Sequence, residues 1–361
     1  MLSRLLLCTT LLISSATGFA QKQPSFEYTD AQKLTLIGKA FTSTPAVYHR
    51  VDTLLYADIP PAVKKLLTHS SGLAISFSTN STAISAKWCT KKSPHYNNMT
   101  AIAYEGLDIY IKRGNQWVFA GVGRPEADTC TEFTLVNNMD SSVKECLVYL
   151  PVYDETKELS IGVRKGASLQ ARPNPFKKNI LIYGSSIVHG ASASRPGMAY
   201  PAMLCRQTGY NFINFGVSGN AKMERSVADM IAPLPMDAFI LDCVPNCTPE
   251  QVTERTAYLV KAIRAKHPGK PIIAVQSIVR ENSNFDLDIA EKIRQQNGNF
   301  LKEISALQKT DKDLYMITAD GLLGSDHEGT TDGTHPNDLG FDRMVQKIKP
   351  AVLKIFKKYG L

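Results

Sequence analysis

Asn179-Ile180-Leu181-Ile182-Tyr183-Gly184-Ser185-Ser186-Ile187-Val188-His189-Gly190 decides how this chain is read. The first five residues form a short apolar run, which reads as a buried strand. Gly184 ends it, and two hydroxyl residues follow at the turn into a helical stretch. A hydroxyl at such a turn points into a cleft, where the helix N-terminus favours developing negative charge. The pattern is not a G-x-S-x-G elbow, because Val188 stands where the second Gly belongs.

The rhythm continues downstream. A helix is expected from about Ala199 to Thr208, a strand at Phe212–Phe215 and a helix from Met223 to Ile231. Strands at Ala238–Leu241, Pro271–Val275 and Leu314–Ile317 follow, with a long helix over Pro249–Lys266 and another helix before the last strand. A final helix covers about Asn337–Lys358, bent or broken near Pro350. Apolar strands alternating with helices imply βαβ units around a buried parallel sheet. In such sheets ligands sit beyond the carboxyl ends of the strands.

Upstream, Ala171-Arg172-Pro173-Asn174-Pro175 is a linker, since two prolines resist helix and central strand. From about residue 45 to 170 the chain reads as short strands bounded by turn residues. They fall at 72–77, 82–88, 102–104 (Ile102-Ala103-Tyr104), 107–111, 117–120, 146–150 and 159–163. Such a series implies an antiparallel sandwich. The organisation expected is a leader at 1–20, a β-sandwich domain at 21–170 and an α/β domain at 176–361.

The chemistry gathers after the strands. Asn214-Phe215-Gly216-Val217-Ser218-Gly219-Asn220 follows the second, and its glycines let backbone approach a ligand. Asp242-Cys243-Val244-Pro245-Asn246 follows the third and brings an amide donor to the same edge. Asp332-Gly333-Thr334-His335-Pro336 precedes the final helix. Together these supply the parts of acyl transfer: Ser186 as nucleophile, His335 as base, and Asp332 to orient the imidazole. The Ser186 N–H, the Gly219 N–H and the Asn246 side chain are the candidate oxyanion donors. Taken singly, each has a plainer reading. Ser186 fits a helix N-cap, Gly216 and Gly219 fit turns, Asn246 fits an Asx-turn, and residues 332–335 fit a surface turn.

In combination the four blocks resemble the SGNH/GDSL hydrolases. Gly184-Ser185-Ser186-Ile187 is similar to the G-D-S block, residues 216–219 to the glycine block, Asn246 to the asparagine block and Asp332–His335 to D-x-x-H. The resemblance extends to the two-domain bacterial branch with a GxDLY N-terminal domain. Gly106-Leu107-Asp108-Ile109-Tyr110 matches that motif with Ile for Leu, and Ser194–Tyr200 is typical of the branch. It implies a flavodoxin-like three-layer hydrolase domain behind a jelly-roll-like β-sandwich, with neither metal nor organic cofactor. Two departures stand out. Ser185 replaces the Asp of G-D-S, which also puts two adjacent serines in competition; block alignment selects Ser186. The asparagine block keeps only its Asn. His189 and Arg195 are further candidates, for lining the cleft and touching substrate. Structural roles are the alternatives for both, and for Asp108 and Tyr110.

Apolar residues make up 43% of the 361, enough for a sizeable globular core. Arg4, the apolar run Leu5–Ile13 and Gly18-Phe19-Ala20 read as an export signal, so a periplasmic or extracellular protein is expected. No later segment is apolar for long enough to cross a membrane. The formal charge of +8 is spread along the chain without aromatic interleaving, which argues against nucleic-acid binding. Cys89, Cys130, Cys146, Cys205, Cys243 and Cys247 lack zinc-like spacing; disulfides and buried thiols are both open readings. The partner expected is a small-molecule or polysaccharide ester. An exported esterase acting on short acyl groups of carbohydrate, acetyl foremost, leads. A lysophospholipase or thioesterase, and a non-catalytic glycan-binding protein of the same fold, are the alternatives.

Overall fold

The computed structural model of the protein describes residues 25–126 and 128–361; the expected export segment at 1–20 lies outside the described residues. The N-terminal strands are β1 (Phe26–Asp30), β2 (Thr35–Ile37), β3 (Ala74–Thr79), β4 (Ile84–Thr90), β5 (Leu107–Arg113), β6 (Gln116–Gly123), β7 (Cys130–Val136), β8 (Lys144–Tyr149), β9 (Thr156–Arg164) and β10 (Leu169–Ala171). They pair antiparallel in two sheets, ordered β1-β9-β4-β7 and β10-β3-β8-β5-β6, with β2 on β3. Period-2 alternation aims one face of each sheet at the other. Ile84, Ala86, Trp88 and Ile161 thus meet Ile75, Phe77, Ile109 and Val148 in a shared core. A disulfide joins Cys89 of β4 to Cys130 of the neighbouring β7, while Cys146, Cys205, Cys243 and Cys247 are buried thiols.

The short helices α1 (Pro61–Leu67) and α2 (Ala101–Tyr104) interrupt this half. The latter corrects the strand expected at Ile102-Ala103-Tyr104. Thr100 accepts the Ala103 N–H on its side chain, and this N-cap winds the segment into a helical turn that outweighs its apolar pattern. Strands β1, β2, β7 and β10 and helix α1 were not anticipated.

The second half carries β11 (Lys177–Gly184), α3 (Ser186–His189), α4 (Tyr200–Thr208), β12 (Tyr210–Gly216), α5 (Arg225–Ile231), β13 (Ala238–Asp242), α6 (Pro249–Lys266), β14 (Ile272–Val275), α7 (Leu287–Gln308), β15 (Leu314–Ile317) and α8 (Asp338–Lys357). Helix α8 continues through Pro350, so of the bend or break expected there the break does not occur. The strands are all parallel, in the order β12-β11-β13-β14-β15. This is the flavodoxin-like order, with a switch point beside β11. Successive residues of β11 serve opposite layers. Leu181 and Tyr183 pack with α5, α6 and α7, whereas Ile180 and Ile182 pack with α4 and α8.

The two halves share cores. Val51, Ile59, Val63 and Leu67 enter one face of the parallel sheet, and Ile37, Ala74, Tyr110 and Tyr149 enter the other. Arg50, buried at 2% exposure, donates to the carbonyls of Leu66, His69, Asn214 and Gly216, and so fastens the first half to the end of β12.

Gly216 is required sterically. A Cβ there would lie 2.2 Å from the His189 nitrogen, because α3 crosses directly over the end of β12. Gly216→Ala is expected to cost about 3 kcal/mol in urea unfolding. Gly298→Ala, on α7 with open space around it, is expected to stabilise by about 1 kcal/mol.

Candidate active site

Three strands set the stage. Gly184 of β11 stands in register with Gly216 of β12 on one side and Asp242 of β13 on the other. The turns that follow therefore emerge side by side. In the first, Ser185 is fully buried and caps α3, its Oγ accepting the Ile187 N–H at 3.3 Å. Ser186 is the next residue and retains 7% exposure. The N-cap reading thus belongs to Ser185, and Ser186 is left to face the cleft.

His335 reaches Ser186 from 149 residues away, with 2.9 Å between Nε2 and the Ser186 Oγ. Its Nδ1 lies 2.8 Å from Asp332 Oδ2. An ionised carboxylate only accepts, so Nδ1 carries the proton and Nε2 is free to accept from the serine hydroxyl. The turn is built for this. Asp332 Oδ1 takes the backbone N–H groups of Thr334 and His335 at 3.0 and 2.8 Å, while Gly333 supplies the left-handed φ of 79°. Asn337 then caps α8 by accepting the Gly340 N–H, so the imidazole stands just before a fixed helix end.

The other candidates stand on the turns after β12 and β13. Gly219 has φ +68° and open space on its Cβ side. Asn246 ends a short 3-10 turn, and its Oδ1 accepts the Ala221 N–H at 3.2 Å, which couples the turns after β12 and β13. Two residues absent from the sequence reading brace the arrangement. Asn282, in the loop after β14, donates its backbone N–H to Gly333 O and its amide to Thr334 Oγ1. Asn98, from the sandwich half, donates Nδ2 to Asp332 Oδ2 at 2.9 Å. Asn98 and His335 are 237 residues apart, and no local pattern marks either Asn.

His189 does not line the cleft. It is fully buried and stacks at 4.2 Å on Tyr153, with His69 nearby. Burial, reinforced by Arg50 and His69, holds its imidazole well below the ordinary value, so it is neutral. Arg195 is engaged by the sandwich half: its Nε lies 3.3 Å from Asp108 Oδ2 and its guanidinium 4.2 Å over Phe119. Asp108 is itself buried and accepts the Gly197 N–H on both oxygens, which makes it a clasp between the halves. Full burial replaces the cleft-lining role expected for His189 by a structural one, while Arg195 is held by its contacts to the sandwich half. Among the described residues, no group of three or more His, Cys, Asp or Glu side chains is placed to hold a metal ion.

The GDSL-like Lipase/Acylhydrolase family profile matches residues 177–353, and the profile of the GxDLY domain, the N-terminus of Esterase_SGNH_hydro-type proteins, matches 26–169. A protein from Bacteroides ovatus, whose crystal structure is described as that of a putative GDSL-like lipase, shares 54% identity. The alignment covers 92% of this chain and 98% of that one, with a TM-score of 0.90. The chain belongs to the GDSL-like, or SGNH, acylhydrolase family. By that membership it is a carboxylic ester hydrolase. More distant structures share the fold. The salicylyl-acyltransferase SsfX3 of a tetracycline biosynthetic pathway is 17% identical, covering 91% of this chain and 97% of its own at TM-score 0.73. A family two carbohydrate esterase from Clostridium thermocellum, in complex with cellohexaose, is 12% identical, covering 80% and 93% at TM-score 0.57. No protein of curated function matches the chain.

Burial pushes the Asp332 carboxyl up, but the His335 N–H, the imidazole and the Asn98 amide outweigh it and hold it down at about 2. A carboxyl depressed below its unfolded value of about 3.9 adds stability that is complete above that pH and is lost as pH falls through the folded value. The stability difference between wild type and Asp332→Asn is read by chemical denaturation below about pH 5. It should shift against the wild type as pH falls from about 4 toward 2; the opposite trend would contradict this assignment.

Proposed function

We propose that the protein is an exported serine esterase that removes short acyl groups, acetyl foremost, from carbohydrate esters. The observation that carries the reading is the Asp332–His335–Ser186 chain, with spacings of 2.8 and 2.9 Å. In the proposed reaction the Ser186 oxygen attacks the ester carbonyl as its proton passes to His335 Nε2. The oxyanion is met by the N–H groups of Ser186 and Gly219 and by the Asn246 amide. His335 then returns the proton to the departing alcohol, leaving an acyl-Ser186. A water, deprotonated in turn by His335, releases the acid and restores the hydroxyl. Asp332 keeps the Nδ1 proton in place and offsets the charge of the imidazolium.

Export rests on Arg4 and the apolar run behind it. Among the described residues no helix is long and apolar enough to cross a membrane. A short acyl group suits the small and polar residues around Ser186. The carbohydrate part draws on fold-sharing carbohydrate esterases and is an analogy of fold.

The test is acetate release from acetylated polysaccharides, with a chain-length series of p-nitrophenyl esters alongside. Activity is expected to peak at the acetyl ester and to fall by about 10³-fold or more in Ser186→Ala. Asp332→Asn should fall by roughly 10²- to 10⁴-fold with its fold intact. Equal activity of wild type and Ser186→Ala would remove the proposed nucleophile. A peak at long chains would replace the carbohydrate reading with a lipid one.

A further inference from the structure

Asn98 sits on the loop that leads from β4 to α2, and this loop is pinned to both halves of the molecule. The Ser93 N–H donates to Asp154 Oδ2 at 2.7 Å. The Tyr96 ring packs edge-on against Tyr104 at 5.7 Å and Tyr153 at 5.0 Å. Thr100 Oγ1 donates to the carbonyl of Ser194, in the hydrolase half, at 2.6 Å. Tyr153 in turn stacks on His189, the last residue of the helix that begins with Ser186. One aromatic stack therefore fixes the Asn98 loop relative to the serine.

The amide is oriented without ambiguity. Asp332 can only accept, so the group 2.9 Å from its Oδ2 is the Asn98 NH₂. That oxygen also receives the His335 Nδ1–H. The same Nδ2 lies 3.3 Å from His335 Nδ1. With Nδ1 protonated, this second approach is a contact between two donors and not a hydrogen bond. Asn98 thus holds the carboxylate from the side opposite the turn's own backbone donors, which occupy Oδ1.

We propose that Asn98 is a positioning residue for catalysis: the sandwich half completes the acid–base apparatus by donating a hydrogen bond that fixes the Asp332 carboxylate against His335. The proposal rests on the esterase reading above. The hydrolase half alone supplies nucleophile, base and acid, but one of the three is clamped from a different domain. Docking of the sandwich is on this view a condition of efficient turnover, apart from any part it plays in holding a polymer.

The test uses the full chain with Asn98→Ala and Asn98→Asp. Asn98 is only partly buried, so both are expected to fold, and melting curves check this. Losing a charge-assisted donor is expected to lower kcat about tenfold with KM changed less than about twofold. Asp keeps the size of Asn but sets a second carboxylate against Asp332, so it is expected to be the worse variant, at least about tenfold below Ala. Wild-type kcat in either variant, or a change confined to KM, overturns the proposal. A second measurement does not need turnover. The downfield proton resonance of His335 Nδ1–H, assigned by its loss in His335→Ala, is expected to shift in Asn98→Ala. An unmoved resonance also overturns the proposal. If wild type shows no Ser186-dependent hydrolysis, the esterase reading fails, and the resonance still decides whether Asn98 holds the Asp332–His335 pair.

Discussion

The site depends on one geometric constraint: Gly184, Gly216 and Asp242 end adjacent parallel strands in a common register. Parallel strands deliver successive turns to the same edge of a sheet. Three segments far apart in the chain thereby gain neighbouring starting points. The glycines at two of those ends let α3 lie close over β12, with its backbone against Gly216. Ser186 inherits its position from that contact, and the Asn246 amide is linked to the glycine turn through the Ala221 N–H.

The base arrives by a different route. No strand of the sheet ends immediately at His335; it stands on a turn whose shape comes from its own residues. Asp332 folds its side chain back onto two backbone N–H groups, and Gly333 takes a conformation that L side chains rarely adopt. The same carboxylate then serves the imidazole. The groups that brace this turn from outside, Asn282 and Asn98, come from a loop after β14 and from the sandwich. A small motif is thus prepared locally and aimed by its surroundings.

The two halves behave as one packed body because the α/β half does not close its cores alone. Residues on and before α1 complete one face of the parallel sheet, and side chains of β3, β5 and β8 complete the other. Arg50 ties the seam with carbonyl acceptors only, while Asp108 and Arg195 tie it with a charged pair. Such a seam positions Asn98 with the precision that a hydrogen bond demands. It also explains why His189 serves structure and why Arg195 is engaged by the sandwich half. Each lies near the serine in sequence, but α3 turns His189 inward onto Tyr153, and Arg195 faces the sandwich.

Sequence alone determined the alternation of apolar strands and helices, the sandwich ahead of it and the four blocks that carry Ser186, Gly219, Asn246 and Asp332–His335. These are legible because periodicity and turn chemistry are local properties, written within a few residues. It misread residues 102–104, where a threonine cap overrode an apolar pattern, and it left the choice between Ser185 and Ser186 to alignment. Only the tertiary structure decided that Ser185 caps while Ser186 faces His335, that His189 is buried, and that Asn98 meets Asp332. Each of those depends on which surfaces are brought together by burial of shared cores, and long-range packing leaves no local mark on the residues that happen to meet.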